Sequence, residues 1–334
     1  MRKIFSILFL IFPVLLFGQT LSEEQPAGDV DKYTVSGCIS GEKMLVVNFN
    51  DRVYYNDGSS WSEEQPAGDV NKYWNMATLD GDKMLVGIAS GKLYYYDGDT
   101  WDDIAPGGNS SEYWKYGDID GDKMIVASAT SLYYYDGSSW SEEQPAGSGD
   151  YNWGGCSVSG DKAVAAVWSG RVYIYDGSSW SESNPKEFGN GDWRGLSMDG
   201  DNIIISELQG RLYYYDGSSW SEEQPAGDVD KPWTSVSISG DKMIAAVDGG
   251  RIYYYDGSSW SEQRPAGDVD KPWKVASIDG DNMLVAASKG RIYSSIIRYN
   301  ISKVMGSDLS EISKLNGSSL DDLNKILGIE IISE

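Results

Sequence analysis

From residue 22 to residue 295 the chain repeats one pattern of apolar and polar positions. Residues 233–239, WTSVSIS, alternate in character and predict a strand with two unlike faces. Gly240-Asp241 follows, where other copies place Asp80-Gly81, Asp120-Gly121 or Asp279-Gly280, pairs suited to a tight hairpin. Residues 242–247, KMIAAV, are almost continuously apolar, as in a strand covered on both sides. Gly249-Gly250 then turns into RIYYY (251–255), and DGSS (256–259) turns into the short polar strand WSEQ (260–263). Pro265 ends it, at the offset of Pro66, Pro106, Pro145, Pro185 and Pro225.

Aligned on the tryptophan after the DGSS-type turn, the copies run 22–61, 62–101, 102–140, 141–180, 181–220, 221–260 and a seventh from 261. Four antiparallel strands in about 40 residues, repeated, predict an all-β fold: a seven-bladed β-propeller. A solenoid would need distinct polar caps, and the ends of the array carry none. The ends instead complement each other. The array opens with LSEEQPAGD (21–29), a fourth strand without its blade, and closes on strands one to three (273–295) without a fourth. The N-terminal strand is therefore expected to complete the last blade and close the ring, removing two sheet edges.

The flanks read differently. Arg2 and Lys3 precede an apolar run, Ile4 to Phe17, and small Gly18, which predicts a secretory signal peptide over 1–18. The run is short for a membrane span, no cysteine follows it to carry a lipid, and no later stretch is apolar enough to cross a bilayer. Residues 297–334 repeat on an eleven-residue period, ISKVMGSDLSE, ISKLNGSSLDD, LNKILGIEIIS, and predict a tail of short helical turns capped by Ser307 and Ser318. Such a tail suits docking, sorting or oligomerisation.

Composition narrows the chemistry. The 51 acidic against 27 basic residues give a formal charge of −24, which repels nucleic-acid backbones. There is no histidine, so the usual neutral-pH base and commonest metal ligand are missing, and serines have no base partner. Converging arginines with a tyrosine nucleophile are not expected from arginines spaced one per repeat. The reading is non-enzymatic. Cys38 and Cys156 fall at non-equivalent positions and are expected to be small buried thiols, unpaired.

The segment WGGCSVSGDKAVAAVWSGRVYIYDGSSWSE (153–182) resembles the FG-GAP-like repeats of bacterial exported proteins: a small-residue strand, an SGD turn, an apolar strand, a G-x-x-Y strand and a Gly-Ser-x-Trp turn. The outline recurs over about 270 residues. The resemblance implies a propeller related in plan to the integrin head, and adhesion or ligand binding. The DGSSW turn also resembles the Asp-box of sialidases, one residue short, while WD-repeat and Kelch signatures are absent.

Three groups are candidates for function. Trp74, Trp114, Trp153, Trp193, Trp233 and Trp273 open the innermost strands, beside loops that carry Asp69, Asp228 (before Val229), Asp268 (before Val269), Lys72, Lys231 and Lys271. Indole faces next to such groups suit a sugar; the alternative is that the rings wedge blades apart. Asp118, Asp120 and Asp122 alternate in a glycine turn, as in a calcium loop. Arg52, Arg171, Arg211, Arg251 and Arg291 open third strands, and more simply pair with acidic turns. The turn tryptophans, Trp61 to Trp260, read as structural. Taken together, the sequence describes a secreted propeller that binds a glycan or a cell-surface protein with its loop face, or a spacer whose tail docks.

Overall fold

The computed structural model describes residues 21–296, apart from 29, 30, 109, 110, 148, 150 and 187–189. The chain divides into two compact units, Met1–Ser295 and Ile296–Glu334. The expected leader and the tail repeats lie outside the described residues.

Among the described residues there are 28 strands and one three-residue 3-10 turn at Pro106–Gly108. The strands pair antiparallel in fours, in chain order. Some fours stand alone, and others are joined two by two through short ladders such as Leu208 against Pro232 and Lys231 against Gly210. In the copy analysed above, the strands are Lys231–Ser239, Lys242–Val247, Ile252–Tyr255 and Trp260–Gln263. The hydropathy pattern located all four to within two residues. The fold is all-β, and 28 strands fit seven blades.

Each second strand is sealed on both faces, which explains its unbroken apolar run. Met243, Ile244, Ala245, Ala246 and Val247 are all buried. Their alternating side chains enter two different cores, one shared with the preceding four strands and one with the following four. Small residues let the layers approach: a Cβ on Gly87 would lie 2.7 Å from the Trp114 Cβ. The DGSS turns are held locally. Asp57 Oδ1 accepts from the Ser59 amide and hydroxyl and the Ser60 amide at 2.7–2.9 Å. These bonds, the Ser59 hydroxyl first, hold the Asp57 carboxyl down at about 2. The turn tryptophans then tie each outer strand to the preceding one, with Nε1 of Trp101, Trp180 and Trp260 donating to Glu64, Glu143 and Glu223.

The ends meet as the sequence anticipates. Ser22–Glu24 pairs antiparallel with Ile292–Ser295, Ser22 opposite Ser294 and Glu24 opposite Ile292. Glu24 also accepts from Trp61 Nε1 at 2.9 Å, so the N-terminal strand joins the last strands of the array to the first turn tryptophan. At the opposite edge of the sheets a second closure runs through the 1–2 hairpins. The residue ending each inner strand accepts from the turn-glycine amide of the next copy: Ser40 from Gly81, Asp80 from Gly121, Asp120 from Gly160, Ser159 from Gly200, Asp199 from Gly240 and Ser239 from Gly280. Asp279 then accepts from Gly41 at 2.6 Å, returning the series to its start.

Deleting residues 21–28 removes the ladder onto Ile292–Ser295 and the Glu24 bond to Trp61. We expect a loss of about 3 kcal/mol, counting roughly 1 kcal/mol per hydrogen bond. The melting temperature should fall by roughly 5 °C, with association through the freed edge. Differential scanning calorimetry with light scattering checks this; an unchanged melt would mean that the strand does not hold the ring.

Candidate functional site

The inner tryptophans are not a ligand platform. Trp74, Trp114, Trp153, Trp193, Trp233 and Trp273 are each 2 % exposed or less. Five of them donate Nε1 to a backbone carbonyl in the preceding 2–3 turn region, Trp233 to Gly210 at 3.1 Å and Trp273 to Gly250 at 3.0 Å for example. No ring face is left for a sugar, and the blade-wedge alternative describes them. Position dictates this: the indole is the widest side chain available where two inner strands diverge.

The three aspartates of the candidate calcium loop do not converge. Asp118 turns into the protein. Its Oδ1 accepts from the Ile119 amide and the Thr78 hydroxyl, and its Oδ2 from the Ser157 hydroxyl and the Val158 amide. Asp120 accepts from Gly160, and Asp122 pairs with its neighbour Lys123. Among the described residues, no three His, Cys, Asp or Glu side chains gather where they could hold a metal ion. Other copies put Ser157, Ser197, Ser237 or Ser277 where Asp118 stands, and each of those hydroxyls accepts from the next copy's backbone amide at 3.1–3.3 Å. Asp118 is thus a carboxylate in a hydroxyl position. Burial dominates over its hydrogen bonds and raises it to about 6.

The loop acids are also engaged. Asp69, Asp228 and Asp268 pair with Arg52, Arg211 and Arg251 at 2.7–2.8 Å, and Asp230 and Asp270 add second contacts to Arg211 and Arg251. Arg52, Arg211 and Arg251 therefore fix the 4–1 loops, while Arg171 pairs with Glu182 of its own fourth strand. Lys72, Lys231 and Lys271 are placed by backbone bridges to Asp51, Gly210 and Gly250. Cys156 is buried, and Cys38 is only half-buried, since it packs at the margin of a core cluster; both are free thiols.

What these loops surround is a cavity of about 830 Å³ between the inner strands, lined from many copies of the repeat. A β-bulge shapes its wall. In six copies the inner-strand register slips just after the tryptophan, or Thr34 in the first copy, as between Trp74 and Met76 or Trp273 and Val275. The bulge takes the residue following the tryptophan out of the alternation, as bulges do. Asn75, Arg194, Thr234 and Lys274 occupy that position and line the cavity, as does Lys115, which follows Trp114. Lys289 joins them, and Asp248 is the single acidic residue of the lining. Four cations thus face one carboxylate inside a protein of charge −24.

The cations feel each other. Enclosure first, then the nearby Arg194 charge, lowers Lys115 and Lys274 from their ordinary range. Lys274 is reached by solvent yet surrounded by protein, as expected of a side chain on a cavity wall. Arg194 stacks on Trp168, its guanidinium carbon 3.5 Å from the ring centroid, and its Nε is enclosed with no acceptor. Lys115 Nζ donates to Asn152 at 2.7 Å, 5.5 Å from the same indole. On the same mouth, Tyr33, Phe49 and Tyr73 are 43, 43 and 51 % exposed, and their rings meet at 5.8 and 4.9 Å. Sequence reasoning stopped at the conserved-looking tryptophan and missed its successor. The available signal was that Val35, Asn75, Lys115, Gly154, Arg194, Thr234 and Lys274 vary from copy to copy, with only lysine occurring twice, while the preceding tryptophan repeats in six of the seven.

No protein-family model and no curated protein matches the sequence. The fold has many solved counterparts, β-propeller proteins among them. Virginiamycin B lyase from Staphylococcus aureus superposes with a TM-score of 0.64 at 10 % identity, covering 80 % of this chain and 96 % of that one. YCF48 bound to D1 peptide gives 0.61 at 11 % identity, covering 80 % and 93 %. The extracellular domain of BT4673 from B. thetaiotaomicron gives 0.61 at 16 % identity, covering 85 % of this chain and 41 % of that one. The chain is a β-propeller in fold. The FG-GAP-like resemblance has no family match behind it.

Two outcomes follow from this geometry. Trp233→Ala empties a closed site and should cost about 3–5 kcal/mol, so it unfolds the region rather than sparing it; urea denaturation reads this, and a variant as stable as the parent would refute the wedge. Asp118→Ser should stabilise the protein at pH 7.5 by on the order of 2 kcal/mol. The raised carboxyl penalises the fold in full above about 6, and the penalty fades as pH falls towards and below the ordinary 3.8, where both states become protonated. Melting curves of both proteins should therefore converge as pH falls through that window; a gap that widened at low pH would reverse the sign.

Proposed function

We propose that residues 19–296 form a seven-bladed propeller, exported by the 1–18 leader, that binds a glycan or a cell-surface protein through the face built by its 4–1 and 2–3 loops, and that 297–334 is a separate docking or sorting tail. The observation that carries the binding reading is the axial mouth: exposed aromatic rings grouped beside a cavity lined by four cations and one carboxylate. Soluble proteins rarely leave such rings in one patch without use. The bound D1 peptide of YCF48 and the extracellular placement of the BT4673 domain support the same kind of role. The absence of histidine and of a nucleophile–base pair in the sequence argues for binding rather than catalysis, although the lyase shares the architecture.

The test is a glycan array and a cell-surface pull-down with the chain from Gln19, beside a variant carrying Tyr33→Ala, Phe49→Ala and Tyr73→Ala. The parent should retain a partner, and the variant should lose at least about tenfold in affinity, 1.4 kcal/mol, with an unchanged melt. Equal binding by both proteins would remove the axial mouth from the interface.

A further inference from the structure

The axial bore has a property that the binding reading does not require. The position after the inner tryptophan supplies Lys115, Arg194 and Lys274 in alternate copies, with Gly154 and Thr234 between them. Bringing three cations together is costly, and the neighbouring side chains do little to offset it. Lys115 meets a neutral amide, Arg194 meets the neutral Tyr116 hydroxyl and leaves Nε without an acceptor, and Lys274 has Asp248 as its acidic neighbour. Elsewhere many of the described basic groups are held by acids: Arg52, Arg211 and Arg251 each hold a carboxylate at 2.7–2.8 Å, and the turn lysines Lys43, Lys162 and Lys242 reach Asp82, Asp201 and Asp281 of the next copy. The bore gathers four basic side chains around one acid, although acidic residues outnumber basic ones almost twofold in the sequence, 51 to 27.

We propose that the bore binds a single carboxylate, that of a hexuronate ending a short saccharide. This inference rests on the binding reading above and names its ligand class. A planar guanidinium already oriented by stacking on Trp168 offers a fork for a carboxylate, with Lys115 and Lys274 alongside it. A long polyanion is disfavoured, because the loops around the mouth are studded with Asp69, Asp228, Asp230, Asp268 and Asp270. Only a terminal charge reaches the cations without passing its other charges over those acids. A phosphate dianion would meet Asp248 on the wall, whereas sugar hydroxyls can donate to that carboxylate. Tyr33, Phe49 and Tyr73 supply apolar faces at the rim for the following sugar rings. The cavity, about 830 Å³, has the size of a site for a short oligosaccharide.

The experiment is isothermal titration calorimetry on the chain from Gln19, with a trisaccharide ending in glucuronate, its methyl ester and its neutral glucose analogue. The acid should bind about tenfold tighter than the ester, and that preference should shrink with added salt. Arg194→Gln with Lys274→Gln should abolish the preference while keeping the fold by circular dichroism. Independently of any ligand, Lys274→Met should raise the melting temperature, since it relieves repulsion in the empty bore. Equal affinity for acid and ester would overturn the carboxylate assignment and leave the binding reading standing. If none of the three sugars binds but a peptide with a free C-terminal carboxylate, or inorganic phosphate, is taken up in an Arg194-dependent way, the saccharide assignment is wrong. Silence in every arm, with no gain from Lys274→Met, would overturn the proposal outright.

Discussion

The fold rests on a single side chain to backbone bond made again in every copy. The last residue of each inner strand, an aspartate or a serine, reaches across to the turn glycine of the next copy and accepts its amide. A hairpin turn normally leaves that amide to water. Here it is tied to a neighbour, so each turn orients the following sheet. Because the acceptor is short, the sheets must lie close, and because they lie close, the second strands must be apolar on both faces. The tryptophan at the far end of the inner strand does the opposite job, holding the strands apart where they open towards the loops. Small at one end and wide at the other, the inner strand is tapered, and tapered units set side by side turn through a circle.

The same taper explains which parts of the protein could be read from its sequence. Strand boundaries, hairpin turns and the N-terminal strand that pairs with Ile292–Ser295 were all legible, because each depends on local chemistry repeated many times. Candidate site residues were less legible for a physical reason. A tryptophan beside polar loops has the same composition whether its ring faces solvent or a neighbouring sheet, and only the packing of Trp233 or Trp273 against the preceding copy decides. Likewise Asp118, Asp120 and Asp122 look like a metal loop in one dimension, yet strand alternation and the ring of inter-copy bonds send the three carboxylates to three different partners. The β-bulge left the weakest trace. It has no residue signature of its own here, so the side chains it exposes, Arg194 and Lys274 among them, were hidden inside an alternating pattern.

Repetition also sharpens what divergence means. Where copies are interchangeable, a residue serves the ring, and one substitution is felt as a local weakness in an otherwise uniform structure. Asp118 illustrates this: the position asks for a small hydroxyl, and a carboxylate there is tolerated by four hydrogen bonds that burial nevertheless outweighs. Stability alone gives no reason to keep it, and the same is true of the cations at the bulge. The difference is location. Asp118 faces the core between two sheets, where its charge can meet nothing new. Lys115, Arg194 and Lys274 face an open cavity, where theirs can.

Charge gives the final constraint on how such a site could work. A protein of −24 holds any anion at a distance, and the bore is too narrow a positive region to change the field far from the molecule. Its cations act only within about a Debye length, roughly 8–10 Å, so they cannot steer a ligand in from solution. Attraction at long range must then come from elsewhere, and the exposed rings of Tyr33, Phe49 and Tyr73 provide an uncharged landing surface. The arrangement suits a ligand that is neutral along most of its length and charged at one end. Its apolar faces would settle first on the rim, and its charge would be tested only once it reached the bore. Discrimination would then appear in how slowly a correct ligand leaves rather than in how fast it arrives.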